Sequence, residues 1–166
     1  MNWKTDNGER PSVSYGRSAT ALTTTVKGIT VDLEPKDTSY HTPYHYHGVK
    51  LTGLEPETGY YYRAKSGRRD TSAVHYFRTP PATGEKQDTL RFIALGDHQL
   101  LEYEGKPYTK FDDLVSAARI RAQELHPGPL ADNYHLILND GDQVDLGKLY
   151  HYEHLHFKKS SPLSHQ

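Results

Sequence analysis

The sequence predicts a protein of two parts, an all-β sandwich followed by the first βαβα portion of an α/β domain. Three observations support this prediction. Before residue 82, short runs rich in β-branched and aromatic residues alternate with turn signals. After it, continuous apolar runs alternate with a segment of helical period. Between the two, TPPATGEKQD has adjacent prolines, a glycine and several charges, which is typical of a linker. We therefore predict domains at 1–80 and 89–166, joined by a linker at 81–88.

Length and composition exclude several classes of protein. The 166 residues suffice for one ordinary domain or two small ones, and 13 tyrosines must supply much of any core. Lys and Arg number 20 against 21 Asp and Glu, which argues against a nucleic-acid binder. The longest apolar run, at 92–95, is too short to cross a membrane. The opening MNWKTDNGER has no apolar segment of a signal peptide, and the absence of cysteine leaves the compartment undecided.

The first part contains six predicted strands, which suggest a sandwich. They lie at 12–15, 22–26, 29–33, 44–51, 60–66 and 74–78. The residues Trp3, Lys4 and Thr5 have the pattern of the last part of an interior strand, so we expect the sandwich to be truncated at its N-terminal end.

The segment LTGLEPETGYYYRA is the most distinctive feature of this part. Alternation places Tyr60, Tyr62 and Ala64 on a buried face and the intervening residues on a face toward water. The spacing from Leu54 to Tyr60 resembles the tyrosine corner of fibronectin type III domains. In that corner the tyrosine hydroxyl bonds to backbone a few residues upstream.

The second part predicts a βαβα unit. TLRFIALGD is a continuous apolar run, which is typical of a parallel strand covered on both faces. In the helix that follows, apolar residues recur from Phe111 to Leu125 at steps of three and four; Thr109 with Asp112 suggests a capping box. A second buried strand is predicted at 136–138 and a weaker helix at 147–159. Such a unit has parallel strands and a right-handed crossover.

Both buried strands end in Gly-Asp, with Gly96 and Asp97 after the first and Gly141 and Asp142 after the second. Ligands of open α/β sheets lie beyond the carboxyl ends of the strands, and neighbouring strands are about 4.8 Å apart. We expect the glycines to let the backbone turn there. Two facing carboxylates repel each other without a cation, so a pair of metal ions, which would activate water and hold a phosphoryl group, fits this arrangement. Ordinary loop chemistry is the alternative for either pair taken alone.

At these residues the chain resembles a known family. ALGDHQ and NDGDQVDLG resemble the first two metal motifs of calcineurin-like metallophosphoesterases, whose domain has an αββα architecture. GLEPETGYYYRA followed by YFRTPP resembles the fibronectin-like N-terminal domain of purple acid phosphatases. The resemblance implies a metal-dependent phosphomonoesterase or phosphodiesterase acting on phosphate esters. It implies two divalent or mixed-valence metal ions, with Asp97 as a ligand of one metal and Asp142 as the bridging ligand.

The sequence departs from these families at several positions. Gln99 stands where the superfamily has a histidine, with His98 one position early, and Asp145 stands where purple acid phosphatases have the tyrosine that binds iron. An oxygen-rich site for Mn²⁺, Mg²⁺, Zn²⁺ or Fe is therefore predicted, with Asp145 as a further ligand candidate. For His98 two roles remain open: contact with a phosphate oxygen, or holding the metal ligands in place without binding the metal. Asn139 is a further candidate for the second role.

The families' later motifs, an Asn-His-Glu segment and two histidine segments, do not occur in the sequence. We therefore expect an incomplete portion of an enzyme, truncated at both ends and nearly inactive alone.

Two histidine clusters invite a metal-site interpretation. His45 and His47, near His41, share one strand face; a solvated face opposite buried Tyr44, Tyr46 and Val49 is the simpler prediction. His151, His154 and His156 lie at helical spacing, and a polar edge of an amphipathic helix is the simpler prediction there.

A second function class stays open, a non-catalytic sandwich that recognises protein or glycan. An exposed aromatic patch around Tyr61 would favour it.

Overall fold

The computed structural model describes residues 1–6, 8–34, 44–99, 102–103, 106–107, 110–144 and 147–164. The chain divides into two compact units, Met1–Glu85 and Lys86–Gln166. This division falls inside the segment 81–88 that we treated as a linker. Asp145, Thr109 and His41, all named in the sequence analysis, lie outside the described residues. Among the described residues, no helix is long and apolar enough to cross a bilayer.

The described part of the first unit consists of strands. These are β1 (Asn2–Thr5), β2 (Pro11–Gly16), β3 (Thr24–Lys27), β4 (Ile29–Leu33), β5 (Tyr44–Gly48), β6 (Gly59–Ser66), β7 (Asp70–Thr71) and β8 (His75–Arg78). One antiparallel sheet has the order β1-β5-β4. The other has the order β3-β2-β6-β7, with β8 also paired to β6. All six predicted strands are present, and the short β7 was not predicted.

The two sheets contact each other through residues with polar groups as well as apolar ones. Val13 and Val49 are buried, as is Ser66. The indole Nε1 of Trp3, on β1, donates a hydrogen bond to Ser66 Oγ, on β6, at 2.8 Å. This bond joins the two sheets and satisfies a buried hydroxyl, which an apolar neighbour would leave unpaired.

The prediction of a solvated histidine face on β5 was wrong for His47. Its side chain is 1% exposed, whereas Tyr44 and Tyr46 are only half-buried. Hydroxyls from the two flanking strands explain why the ring is inside: Thr5 Oγ1 lies 2.7 Å from His47 Nε2, and Thr30 Oγ1 lies 2.9 Å from His47 Nδ1. A buried ring with both nitrogens bonded avoids most of the cost of burying unpaired polar atoms.

The tyrosine corner is confirmed. Tyr60 is 6% exposed, and its hydroxyl accepts a hydrogen bond from the Glu55 backbone N–H at 3.1 Å. Its ring packs on Phe77 of β8, with 5.7 Å between centroids, and against Tyr15 of β2, at 5.9 Å. The predicted alternation on β6 holds in part: Arg63 and Lys65 are exposed, but Tyr61, predicted on the face toward water, is half-buried like Tyr62.

The second unit contains strands and helices. The strands are β9 (Phe92–Leu95), β10 (Glu102–Tyr103), β11 (Lys106–Pro107) and β12 (Leu136–Asn139). The helices are α1 (Lys110–Leu125), α2 (Leu130–Asn133) and a continuous stretch made of α3 (Leu149–His151), a π-helical segment (Tyr152–Phe157) and α4 (Lys158–Ser164). Neither the β10–β11 hairpin nor α2 was predicted.

Strands β9 and β12 pair in parallel, as predicted, with Leu95 opposite Asn139. The prediction that both faces are covered was wrong. Phe92 is 52% exposed and Leu138 is 48% exposed, while Ile93 and Ile137 pack on the core. A continuous apolar run indicates that both faces of a strand are apolar. It does not require that other described residues cover both of those faces.

The core of this unit joins β9, α1 and α4. Leu95, Phe111, Val115 and Leu163 form one buried cluster. Outside it, Lys159 Nζ donates to Asp112 Oδ2 at 3.0 Å, and Tyr134 donates its hydroxyl to the Leu163 carbonyl. Burial raises the pKa of Tyr134 to about 12, so the hydroxyl stays protonated and can donate.

Candidate functional site

The carboxyl ends of β9 and β12 lie side by side, and this places the two Gly-Asp pairs together. Because Leu95 is opposite Asn139, the chain leaves both strands at the same edge of the sheet. The Asp140 N–H donates to the Leu95 carbonyl at 2.8 Å, and the His98 N–H donates to the Asp142 carbonyl at 3.2 Å. These two hydrogen bonds tie the loop after β9 to the loop after β12, so the backbones of Asp97 and Asp142 belong to adjoining segments.

The backbone at both aspartates is left-handed. The φ angle is 53° at Asp97 and 44° at Asp142. Such angles cost roughly 1–3 kcal/mol for a residue other than glycine and gather at functional sites. Gly141, with φ 117°, supplies a turn that only glycine adopts readily, as predicted. Gly96 has no positive φ, and an added Cβ would meet Asp140 Cβ at 3.4 Å, an ordinary contact, so the conformational freedom of glycine is not required at this position.

Both carboxylates are exposed. Asp97 and Asp142 lie at the surface, as do Asn139 and Asp140 beside them. Among the described ranges, no group of three or more candidate ligands is close enough to hold a metal ion. The structure therefore brings two carboxylate-bearing loops together, and Asp145 lies outside the described residues.

His98 is buried rather than placed in solvent beside Asp97. Its side chain is 3% exposed, and its ring stacks on Phe111 with 3.9 Å between centroids and planes 8° apart. Its Nε2 lies 2.9 Å from Nδ1 of His156. This placement favours the supporting role of His98 over direct contact with a phosphate.

His156 is the residue of this region that the sequence analysis missed. It is 6% exposed, so the prediction that it lies on a polar helix edge was wrong. It lies in the π-helical segment Tyr152–Phe157, in which the neighbouring Leu155 is also buried.

Burial lowers the pKa values of both histidines. For His98 the carbonyl of Gly96 and the charge of Asp97 oppose this effect; for His156 the neighbouring His98 adds to it. The shared hydrogen bond needs one nitrogen that donates and one that accepts, so the neutral forms that burial favours are also the forms that fit it.

Comparison with known proteins identifies the first unit. A β-sandwich-like domain with a tyrosine corner precedes the second unit, and residues 1–79 match the family model described as purple acid phosphatase, N-terminal domain. These residues therefore form a purple acid phosphatase-type N-terminal domain. Purple acid phosphatase 15 of Arabidopsis thaliana is a relative, 42% identical over 52 residues. The match covers 31% of this chain and spans only 10% of the length of that relative.

Proposed function

We propose that the chain contributes metal ligands to a metal-dependent phosphoesterase of the purple acid phosphatase type. The observation that supports this best is the parallel pairing of β9 with β12, which ends both strands, each followed by an aspartate, at one sheet edge. The purple acid phosphatase-type domain at 1–79 supports the same conclusion independently. In this proposal Asp97 binds one metal, Asp142 bridges two, and Asp145 is a further ligand.

The donor chemistry fits part of such a centre. Two exposed carboxylates on adjoining loops suit hard or borderline divalent ions, which prefer oxygen ligands. Two carboxylates are fewer ligands than a closed metal site requires. We therefore expect this chain alone to bind the ions weakly. When bound, the ions would activate a water molecule and neutralise charge on a phosphate ester.

The other residues of the region hold the two loops in place. The ring of His98 stacks on Phe111 and hydrogen-bonds His156. The backbone N–H of His98 donates a hydrogen bond to the Asp142 carbonyl. Movement of the loop after β9 would therefore disturb the loop after β12 and break packing in the core. We assign His98 and His156 the role of positioning residues for the two aspartates.

Paramagnetic NMR of the 166-residue chain tests this proposal. Mn²⁺ titrated into the ¹⁵N-labelled protein should broaden the backbone resonances of residues 96–98 and 141–142 first. Asp97→Asn and Asp142→Asn should each lower the apparent affinity for Mn²⁺ by at least about tenfold. Even changes to the groups that hold metal ligands in place typically cost that much metal affinity. Asp113→Asn, at an exposed position on α1, is the matched control and should leave the broadening unchanged.

Equal loss in all three variants, or broadening centred elsewhere, would overturn the proposal.

The alternative of an aromatic binding surface has no such support. Tyr61 is half-buried, with its ring against Tyr76 at 5.1 Å between centroids.

A further inference from the structure

The loop after β12 contains an aspartate followed directly by a glycine, Asp140 and Gly141, and this pair of residues occurs nowhere else in the sequence. In such an Asp-Gly step the backbone nitrogen can react with the aspartate side chain, because glycine has no Cβ to shield the nitrogen or to restrict the turn. The metal centre proposed above uses Asp142 and leaves Asp140 without a role. The surroundings of the step decide whether it reacts in the folded chain.

Both residues of the step are exposed, and their reacting groups have no partner in the part of the chain that the structure describes. Neither the Asp140 carboxyl group nor the Gly141 backbone N–H makes a hydrogen bond or an ion pair there. An added Cβ at Gly141 would meet no described atom within 4 Å, so the space beside this backbone is open. Both groups are therefore accessible to each other and to water.

Two hydrogen bonds fix the backbone on either side of the step. The Asp140 N–H donates to the Leu95 carbonyl at 2.8 Å, and the Asp142 carbonyl accepts from the His98 N–H at 3.2 Å. Neither bond involves the Asp140 carboxyl group or the Gly141 nitrogen. The two groups can therefore react without first breaking either bond.

We propose that Asp140 is a site of spontaneous conversion to isoaspartate in the folded protein. The Gly141 nitrogen attacks Cγ of the protonated carboxyl group and forms an N–Cγ bond, while the hydroxyl of that group and the N–H proton leave as water. Water then adds to the backbone carbonyl carbon of Asp140 in the resulting five-membered ring and breaks its bond to the Gly141 nitrogen. Gly141 stays joined through Cγ, and the former backbone carbonyl becomes a free carboxyl group. No oxidant or cofactor takes part.

The product lengthens the main chain between two fixed points. Cβ of Asp140 becomes a main-chain atom, which adds one C–C bond of about 1.5 Å. The added bond lies between the Asp140 N–H, bonded to Leu95, and the Asp142 carbonyl, bonded to His98. We expect the longer of these hydrogen bonds, the one from His98, to break. The loop after β9 would then be released from the loop after β12.

Parallel incubation of the folded and the unfolded chain tests whether the fold permits the reaction. The 166-residue chain is kept without metal ions, one sample in buffer and one in guanidinium chloride at the same pH and temperature. Isoaspartate in the peptide that contains Asp140 is quantified by tandem mass spectrometry and by methylation with protein isoaspartyl methyltransferase. The folded chain should react within about fivefold of the unfolded rate, since exposed loops open at almost no cost in free energy. A slower reaction, or none, would overturn the proposal.

Hydrogen exchange of the isolated isoaspartyl form tests the release of the loops. The His98 backbone N–H should exchange at least about tenfold faster than in the unmodified chain, because its partner is lost. The His135 N–H, bonded to the Arg91 carbonyl at 2.8 Å at the other end of the strand pair, should keep its protection. Unchanged exchange at His98, or equal acceleration at both amides, would contradict the release.

Asp140→Glu with a matched control tests the assignment to this residue. Glutamate would have to close a six-membered ring, which forms far more slowly, so isoaspartate should be absent from this peptide. Asp113→Glu, the same change at an exposed position of α1, should leave the conversion at Asp140 unchanged. Methylation of this peptide that persists in Asp140→Glu would overturn the assignment. Because no metal ion is present, these results do not depend on the proposed metal centre.

Discussion

Several polar side chains of the first unit are buried beside a specific partner that satisfies them. His47 lies between two threonine hydroxyls, Trp3 bonds Ser66, and Tyr60 bonds the backbone of Glu55. Only the last of these was predictable, because the tyrosine corner has a fixed spacing within one short segment. The partners of His47 lie 42 and 17 residues away along the chain, and no local pattern identifies them.

Tyr60→Phe should lower the free energy of unfolding of the first unit by about 1 kcal/mol. The change removes only the hydroxyl that accepts from Glu55 N–H and leaves that donor without its partner. Urea unfolding followed by tyrosine or tryptophan fluorescence measures the effect. Tyr61→Phe, at a half-buried neighbour on β6, should change the free energy by less than about 0.5 kcal/mol. Equal effects would mean that the corner hydrogen bond contributes nothing.

At the scale of elements, the pairing of the strands was more predictable than which side chains of a helix face inward. The continuous apolar residues of β9 and β12 predicted a parallel pair, and the register brought the Gly-Asp ends together as expected. The helix predicted at 147–159 contains the π-helical segment Tyr152–Phe157, and within it His156 contacts His98, which lies 58 residues away along the chain, so no local pattern marks the contact. His156 was misplaced for that reason.

The buried histidine pair predicts how stability depends on pH. Burial holds the pKa values of His98 and His156 below the ordinary 6.5, so near that pH the unfolded chain binds more protons than the folded one. The stability of the second unit should therefore be complete above about pH 6.5 and decline as the pH falls below it. Asp97 opposes this effect at His98 through its charge, and Lys159 reinforces it.

His156→Gln should make that decline shallower, since one of the two buried titrating groups is gone while a polar partner for His98 remains. Thermal unfolding between pH 7.5 and pH 5 measures the decline. His154→Gln, in the same π-helical segment but half-buried, is the control and should keep the decline of the unchanged protein. Parallel curves for the protein and His156→Gln would contradict this reasoning.

For the whole molecule, composition and periodicity predicted the change from strands to mixed structure, and a few residues of the first unit indicated the purple acid phosphatase-type N-terminal domain that the family model matches at 1–79. The pattern did not predict in the same way which faces of the strands in the second unit are covered by other residues. The exposed Phe92 and Leu138 occupy positions that the pattern marks as buried, since a pattern records which residues are apolar and not which surfaces meet them.

The 166-residue chain should hydrolyse para-nitrophenyl phosphate no faster than a matched Asp97→Asn, Asp142→Asn double variant, with Mn²⁺, Zn²⁺ or Fe present. The described residues bring no third metal-ligating side chain to the two aspartates, so neither ion is held firmly enough to act. Release of para-nitrophenolate, followed at several pH values, is the measurement. Robust hydrolysis that the double variant abolishes would show that two carboxylates and residues outside the described ranges already suffice.

The π-helical segment has a consequence for relatives of this chain. A π-helical bulge corresponds to one residue inserted into an ordinary helix, so deleting a single position within Tyr152–Phe157 would restore a uniform α-helical winding. The helical residues on either side would then keep their orientation, because the bulge absorbs the extra residue locally. In homologues with the shorter spacing, Leu163 should therefore keep its place in the core beside Phe111, and the missing position should fall within this segment.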